Sequence, residues 1–245
     1  MTLPLAADVS GNIKNPGELG NDIDGDCTVA AYLHLLMCLA RVRSGPLKTW
    51  AYKLGFKVPG QKFAIAIYAK YLATLNEKPG PASAVYVDAW LKYLQGQGEV
   101  LGYAQIPPTS VPCATQAEFD AAYGDGSAFE AVVRAAMINF GGVLIAGNLS
   151  VNAMDIFMNP QLHAGDVWSY SAAPHDQPSP DFGHAMALVK FNPKTDTVVT
   201  WGKYQAMTTE FRAKCLLTAF VFVHKSDPNA AEKLTLLNTL WTPSN

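Results

Sequence analysis

The stretch Thr28–Val42, TVAAYLHLLMCLARV, is apolar nearly all the way round a helical wheel. A helix with one apolar stripe lies on a surface, but a helix without a polar face has to be enclosed by other elements. The chain is therefore expected to build its fold around a buried central helix that begins at Cys27. Asp26, or the Asp24–Gly25–Asp26 turn, supplies the capping oxygen and the negative charge favoured at a helix start. The same stretch is too short to cross a membrane. Its most apolar run, Val29–Ala40, has twelve residues, contains His34 and ends at Arg41, against the roughly 20 that a span requires.

With 245 residues, the chain is long enough to enclose such a helix in one large domain or two packed lobes. Apolar residues make up 49% and charged residues 16%, a balance that excludes general disorder. Eighteen Lys and Arg against twenty Asp and Glu give a net charge of −2. That excludes nucleic-acid binding through a general basic surface and gives no electrostatic attraction to an anionic membrane. The low charged fraction and a mean hydropathy of +0.08 lead us to expect apolar surface covered by an assembly partner or a second copy. Met1–Gly11 has no Lys or Arg and no continuous apolar core, so no secretory signal is expected, and a cytoplasmic or particle-associated location follows.

The four cysteines, Cys27, Cys38, Cys113 and Cys215, are scattered without a C-x-x-C pair, which favours a reducing compartment. His34 and Cys38 stand at i and i+4, but two residues do not make a zinc site, and both read as core. Asp22, Asp24 and Asp26 suggest a calcium loop, yet its twelfth position, which needs a bidentate Glu, falls on Leu33. No phosphate-binding or dinucleotide motif is present. Neither a metal nor an organic cofactor is expected.

Residues 1–26 are rich in Gly, Asn, Asp and Pro and read as an arm. After the central helix, Lys62–Leu75 and Ala84–Leu94 carry apolar residues at three- and four-residue spacing, separated by the breaker Lys78-Pro79-Gly80-Pro81. Gly98–Val111, with Pro107-Pro108, reads as a connector. Gln116–Tyr123 and Ala128–Ile138 read as helices and Val143–Leu149 as a strand. Residues 152–182 read as a long irregular loop that lines a cleft. HAMALVKF and TVVTW then flank the turn Asn192-Pro193-Lys194-Thr195-Asp196 as a hairpin. A short helix near Thr208–Lys214, a strand LLTAFVFVH and a helix over Ala230–Leu240 complete the chain. The expected architecture is α+β: one domain over 1–245, mainly helical in 27–111 and mainly β in 112–245, with a helical lobe on an antiparallel sheet.

A nucleophilic cysteine must be a thiolate, and a helix N-terminus is one of the few metal-free settings that favours one. Cys27 occupies that place. Alone it reads as a small buried hydrophobe; a partner base changes the reading. Of the five histidines, His34 lies seven residues along the same helix, about 10 Å away at 1.5 Å per residue. His163 and His175 fall in the loop, and His224 ends the last strand. His184 opens a strand after Gly183, a rigid platform from which an imidazole can face a cleft.

These residues resemble the papain-like cysteine peptidase superfamily. His184 follows Cys27 by 157 residues, close to the papain interval of roughly 130–150. Asn21-Asp22-Ile23-Asp24-Gly25-Asp26-Cys27 resembles the family's Gln-x-x-x-Gly-x-Cys segment. Gly183-His184-Ala185-Met186 is similar to its histidine segment, and Trp201-Gly202 to its Trp-Gly pair. Bacteriocin-leader peptidases and other bacterial or phage-borne relatives share this plan.

The resemblance implies a papain-like fold and a cysteine peptidase or amide hydrolase. Cys27 would be its nucleophile, His184 its base and Asn21 its oxyanion donor, with Gly25, Gly183 and Trp201 on the substrate side. The family's Asn or Asp after the histidine is missing. By spacing from His184 its place falls on Thr200, by counting back from Trp201 on Val199, and Gln205 is a third candidate. The expected partner is a peptide or protein substrate, with acyl transfer open to the same residues. The runner-up is a papain-like scaffold without turnover, serving as a binding or assembly module.

Overall fold

A computed structural model describes residues 7–10, 15–21, 25–39, 60–80, 85–106, 127–159, 161–163, 165–192 and 194–240. Its elements run β1 (Ala7–Asp8), α1 (Cys27–Leu39), α2 (Gln61–Thr74), α3 (Val87–Gly96), β2 (Val100–Gln105), α4 (Ser127–Phe140), β3 (Val143–Ser150) and α5 (Val151–Met158). A 3₁₀ turn, Pro174–Asp176, leads to β4 (Pro178–Phe191), β5 (Thr195–Thr200), β6 (Lys203–Thr208), α6 (Thr209–Cys215), β7 (Leu216–His224) and α7 (Ala230–Leu240). The fold is α+β, with helices packed on an antiparallel sheet ordered β2-β7-β3-β4-β5-β6 and β1 added to β4. Among the described residues, no helix is long and apolar enough to cross a membrane.

The central helix is as enclosed as its sequence demands. Every residue of α1 from Thr28 to Leu39 is buried, with the helix packed on β4 and β5 and against α2 and α3. At 100° per residue, Cys27, His34 and Cys38 share one face of α1, and Leu36 lies on the opposite one. Several strands are buried almost continuously, as in Val143–Ile145 and Ala185–Leu188. That continuity is why their sequences read as apolar runs without clean alternation.

Four expectations need correction. Gly98–Val111 was expected to be a connector, but Val100–Gln105 is an edge strand paired with β7 from Val100↔His224 to Gln105↔Phe220. Here the alternation of buried Val100 and Gly102 about exposed Leu101 outweighs the nearby prolines. Residues 152–182 are not one loop. Ser150 caps α5 by accepting from the Ala153 N–H at 3.0 Å, and β4 begins six residues before His184, where Pro178 pairs with Ser150 past a bulge.

The segment between these elements runs along the outer strand: Trp168 exchanges backbone bonds with Ala206 and Thr208, at 2.9 and 2.8 Å. It covers the otherwise free edge of β6, a common protection against pairing with another chain. The third helix spans Val87–Gly96, two residues past the expected end at Leu94, while its expected start at Ala84 lies outside the described residues. Finally, β6 itself was unforeseen. Trp201 and Gly202 form its two-residue turn from β5, both at positive φ (40° and 74°), as a type I′ hairpin turn requires. The expected helix over Gln116–Tyr123, Cys113, Pro107-Pro108, Asp22, Asp24 and the end of the central helix past Leu39 lie outside the described residues.

Candidate functional site

The start of α1 is pinned from several sides. Ala30 N–H donates to Asp26 O at 2.9 Å, opening the helix ladder, and Gly25 N–H donates to Gly80 O at 3.0 Å. Thr28 Oγ1 donates to Val85 O. Cys27 is half-buried at this tip. Its sulfur accepts from the backbone N–H of Ala185, the residue after His184. The two segments that sequence spacing paired therefore meet.

His184, 7% exposed, faces Gly147 across the β3–β4 ladder. Its Nε2 lies 2.6 Å from Thr200 Oγ1, and Thr200 is 2% exposed. Of the three candidates for this place, only Thr200 makes the bond. Val199 pairs with Ala187 and Tyr204 and is core. Gln205 turns its amide to Asp166 O and Ala206 O, both at 2.9 Å, so the expectation that it could reach the imidazole is corrected.

Trp201 lies flat on the imidazole, with centroids 3.8 Å apart and planes 9° from parallel, and Phe157 of α5 stacks on the same indole at 4.1 Å. A non-glycine residue at positive φ costs about 1–2 kcal/mol. Here the stack on His184 holds Trp201 in that conformation. Gly202 has no such freedom: a Cβ there would come within 2.8 Å of the Gly17 carbonyl carbon. Gly17 and Gly202 form a β-bridge, and His34 Nε2 lies 2.7 Å from Gly17 O. Gly20 packs so closely that a Cβ would meet Ile65 at 2.9 Å and an Asp26 carboxylate oxygen at 3.1 Å.

The arm is thus fastened to α1 and to the β5–β6 turn, with Asn21 ending a turn (its N–H donates to Glu18 O, 3.2 Å) directly after Gly20. Gly183 lies opposite Asn148 and leaves space where a side chain would be: only Asn148 Oδ1, at 3.9 Å, would meet a Cβ there.

Burial dominates the electrostatics. It raises the Cys27 thiol above its ordinary value, and the Asp26 charge adds to this, against the Ala185 N–H and both hydrogen-bonding groups of Thr28. Burial, with a smaller contribution from His34, lowers His184 to about 3. Burial likewise lowers His34 to about 4, opposed by the Gly17 carbonyl. At neutral pH Cys27 is a thiol and His184 a neutral imidazole.

His34 serves the arm. His163 sits between Asp166 and Asp155 at 2.9 and 3.2 Å, and His224 belongs to the far end of β7. Among the described residues, no group of three His, Cys, Asp or Glu converges as metal ligands. Sequence reasoning missed Phe157. Its signal was present in Ser150 followed by the apolar spacing of VNAMDIFM, a capped short helix. Searches against family models and curated proteins find no match to this chain.

Proposed function

We propose that the chain is a papain-like cysteine peptidase or amide hydrolase acting on a peptide or protein. The observation that carries this reading is the Nε2–Thr200 bond. With Nε2–H donating to the hydroxyl, Nδ1 keeps its lone pair for the thiol proton. Cys27 Sγ attacks the carbonyl carbon as its proton passes to His184 Nδ1. The oxyanion is held by the Cys27 backbone N–H and the Asn21 side-chain amide, whose turn is packed against Asp26. Collapse breaks the C–N bond, His184 returns the proton to the leaving amine, and a thioester on Cys27 remains. Water then attacks the thioester with His184 as base and frees the acid; an amine in place of water gives acyl transfer.

Threonine is neutral, so it orients the ring without stabilising an imidazolium as a carboxylate would. The proton therefore moves at the moment of attack and is not transferred beforehand. The raised thiol favours a second reading, a papain-like scaffold that binds or assembles without turnover.

One experiment separates the two. The full chain is incubated with a mixed peptide library and new amino termini are counted, alongside iodoacetamide labelling of each cysteine across pH. Hydrolysis requires cleavage by the wild type that Cys27→Ala and His184→Ala abolish. No cleavage, with Cys27 labelled no faster than Cys38 or Cys215, means the scaffold.

A further inference from the structure

On the face of α1 turned away from Cys27 and His34, the described residues line a cavity of about 700 Å³. Leu36 of α1, Phe63 and Ile67 of α2 and Trp90 and Tyr93 of α3 form its walls, and the end of β7 closes one side. Its size falls within the roughly 300–1,000 Å³ of sites that hold small organic ligands. The rings are already fixed against one another: Trp90 stacks on Tyr93 at 5.5 Å, and Tyr32 meets Trp90 edge-on at 6.1 Å. Flat apolar walls of fixed orientation suit a flat apolar body.

Two further observations define the charged end of an occupant. Of the charged groups that line the cavity, Lys225 and Glu99 neutralise each other at 2.8 Å. Among the described residues Lys70 reaches the Gln97 amide oxygen, 3.5 Å away, so the described lining carries one excess positive charge. Finally, Phe63 is 53% exposed, an aromatic ring facing water on the same face of α2 as that lysine.

We propose that this cavity binds a small organic carboxylate with a flat apolar body, its rings against Phe63 and Tyr93 and its charge toward Lys70. The site shares no residue with the Cys27–His184 pair and does not depend on the hydrolase reading.

The test uses 1-naphthylacetate as probe and 2-(1-naphthyl)ethanol as its neutral counterpart, each titrated into the full chain by calorimetry. The expected result is saturable one-to-one binding, with the acid at least threefold tighter than the alcohol. Lys70→Glu should weaken the acid at least fivefold and leave the alcohol within twofold, and Phe63→Asp should weaken both. Both side chains are exposed, so neither variant threatens folding. No saturable binding at millimolar probe, equal affinity for acid and alcohol, or affinities unmoved in both variants would each overturn the proposal.

Discussion

Thr200→Val removes one hydroxyl and almost no volume, which makes it the sharpest perturbation of the candidate site. The His184 Nε2–Thr200 Oγ1 bond joins two side chains that are 7% and 2% exposed. Water therefore has little access to replace the lost partner. A net hydrogen bond contributes about 1 kcal/mol, and a buried donor left unmatched costs about 1–3 kcal/mol. The isosteric valine leaves no cavity to add to this, so a loss of about 1–3 kcal/mol in stability is expected, read from urea unfolding.

The second effect is chemical. Without an acceptor at Nε2, the neutral ring loses its reason to keep the proton there. In the proposed hydrolase, a tautomer with Nδ1–H would offer the Cys27 thiol a donor in place of a lone pair. At 1.36 kcal/mol per decade, losing about 1–2 kcal/mol of tautomer preference would there lower kcat/KM about 5- to 30-fold. Imidazole ¹⁵N shifts report the tautomer directly, whether or not substrate is present. Thr200→Asn, which restores a side-chain carbonyl acceptor, should recover the wild-type tautomer. If Thr200→Val unfolds at the wild-type urea concentration and leaves the ¹⁵N shifts of His184 unchanged, the orienting role assigned to Thr200 is wrong.

Three other outcomes are expected. Gly202→Ala places a Cβ 2.8 Å from Gly17 C and 2.9 Å from Glu18 N at a φ of 74°; at about 1–2 kcal/mol for the backbone alone, it should lower Tm and speed proteolysis near 15–21 relative to Gly60→Ala, where nothing is met. His34, His184 and His224 have folded pKa values lowered by burial to about 4, 3 and 4 from 6.5. Their contribution is complete above the unfolded value and lost as pH falls from about 6.5 toward 4, because the unfolded chain binds more protons; urea titrations in that window should show extra proton uptake on unfolding, reduced by about one proton in His34→Gln. Lys233 and Asp227 are buried 2.5 Å apart, so Asp227→Asn alone should cost about 3–5 kcal/mol, whereas adding Lys233→Met should recover most of it in denaturant melts.

Much of this molecule is legible from local pattern alone. The all-apolar stretch after Asp26 could only be an enclosed helix, and Cys27 at its tip follows from where the pattern begins. LLTAFVFVH and Ala230–Leu240 were readable because β-branched runs and capped helical periods are written over consecutive residues. The His184–Thr200 pairing was also partly legible, since two antiparallel strands joined by a short turn bring residues at a countable separation to one end.

Other features had no local signature. Trp201-Gly202 is an unusual pair for a type I′ turn, because tryptophan at positive φ is disfavoured until an imidazole lies beneath it. Without that turn, β6 could not be inferred. The burial that leaves Cys27 and His184 neutral, the arm held by His34 and Gly202, and the cavity behind α1 arise from elements far apart in the chain. Sequence determines which backbone forms are cheap. Only tertiary packing decides which distant groups share a low-dielectric space, and the charge state of a buried group is set by that space.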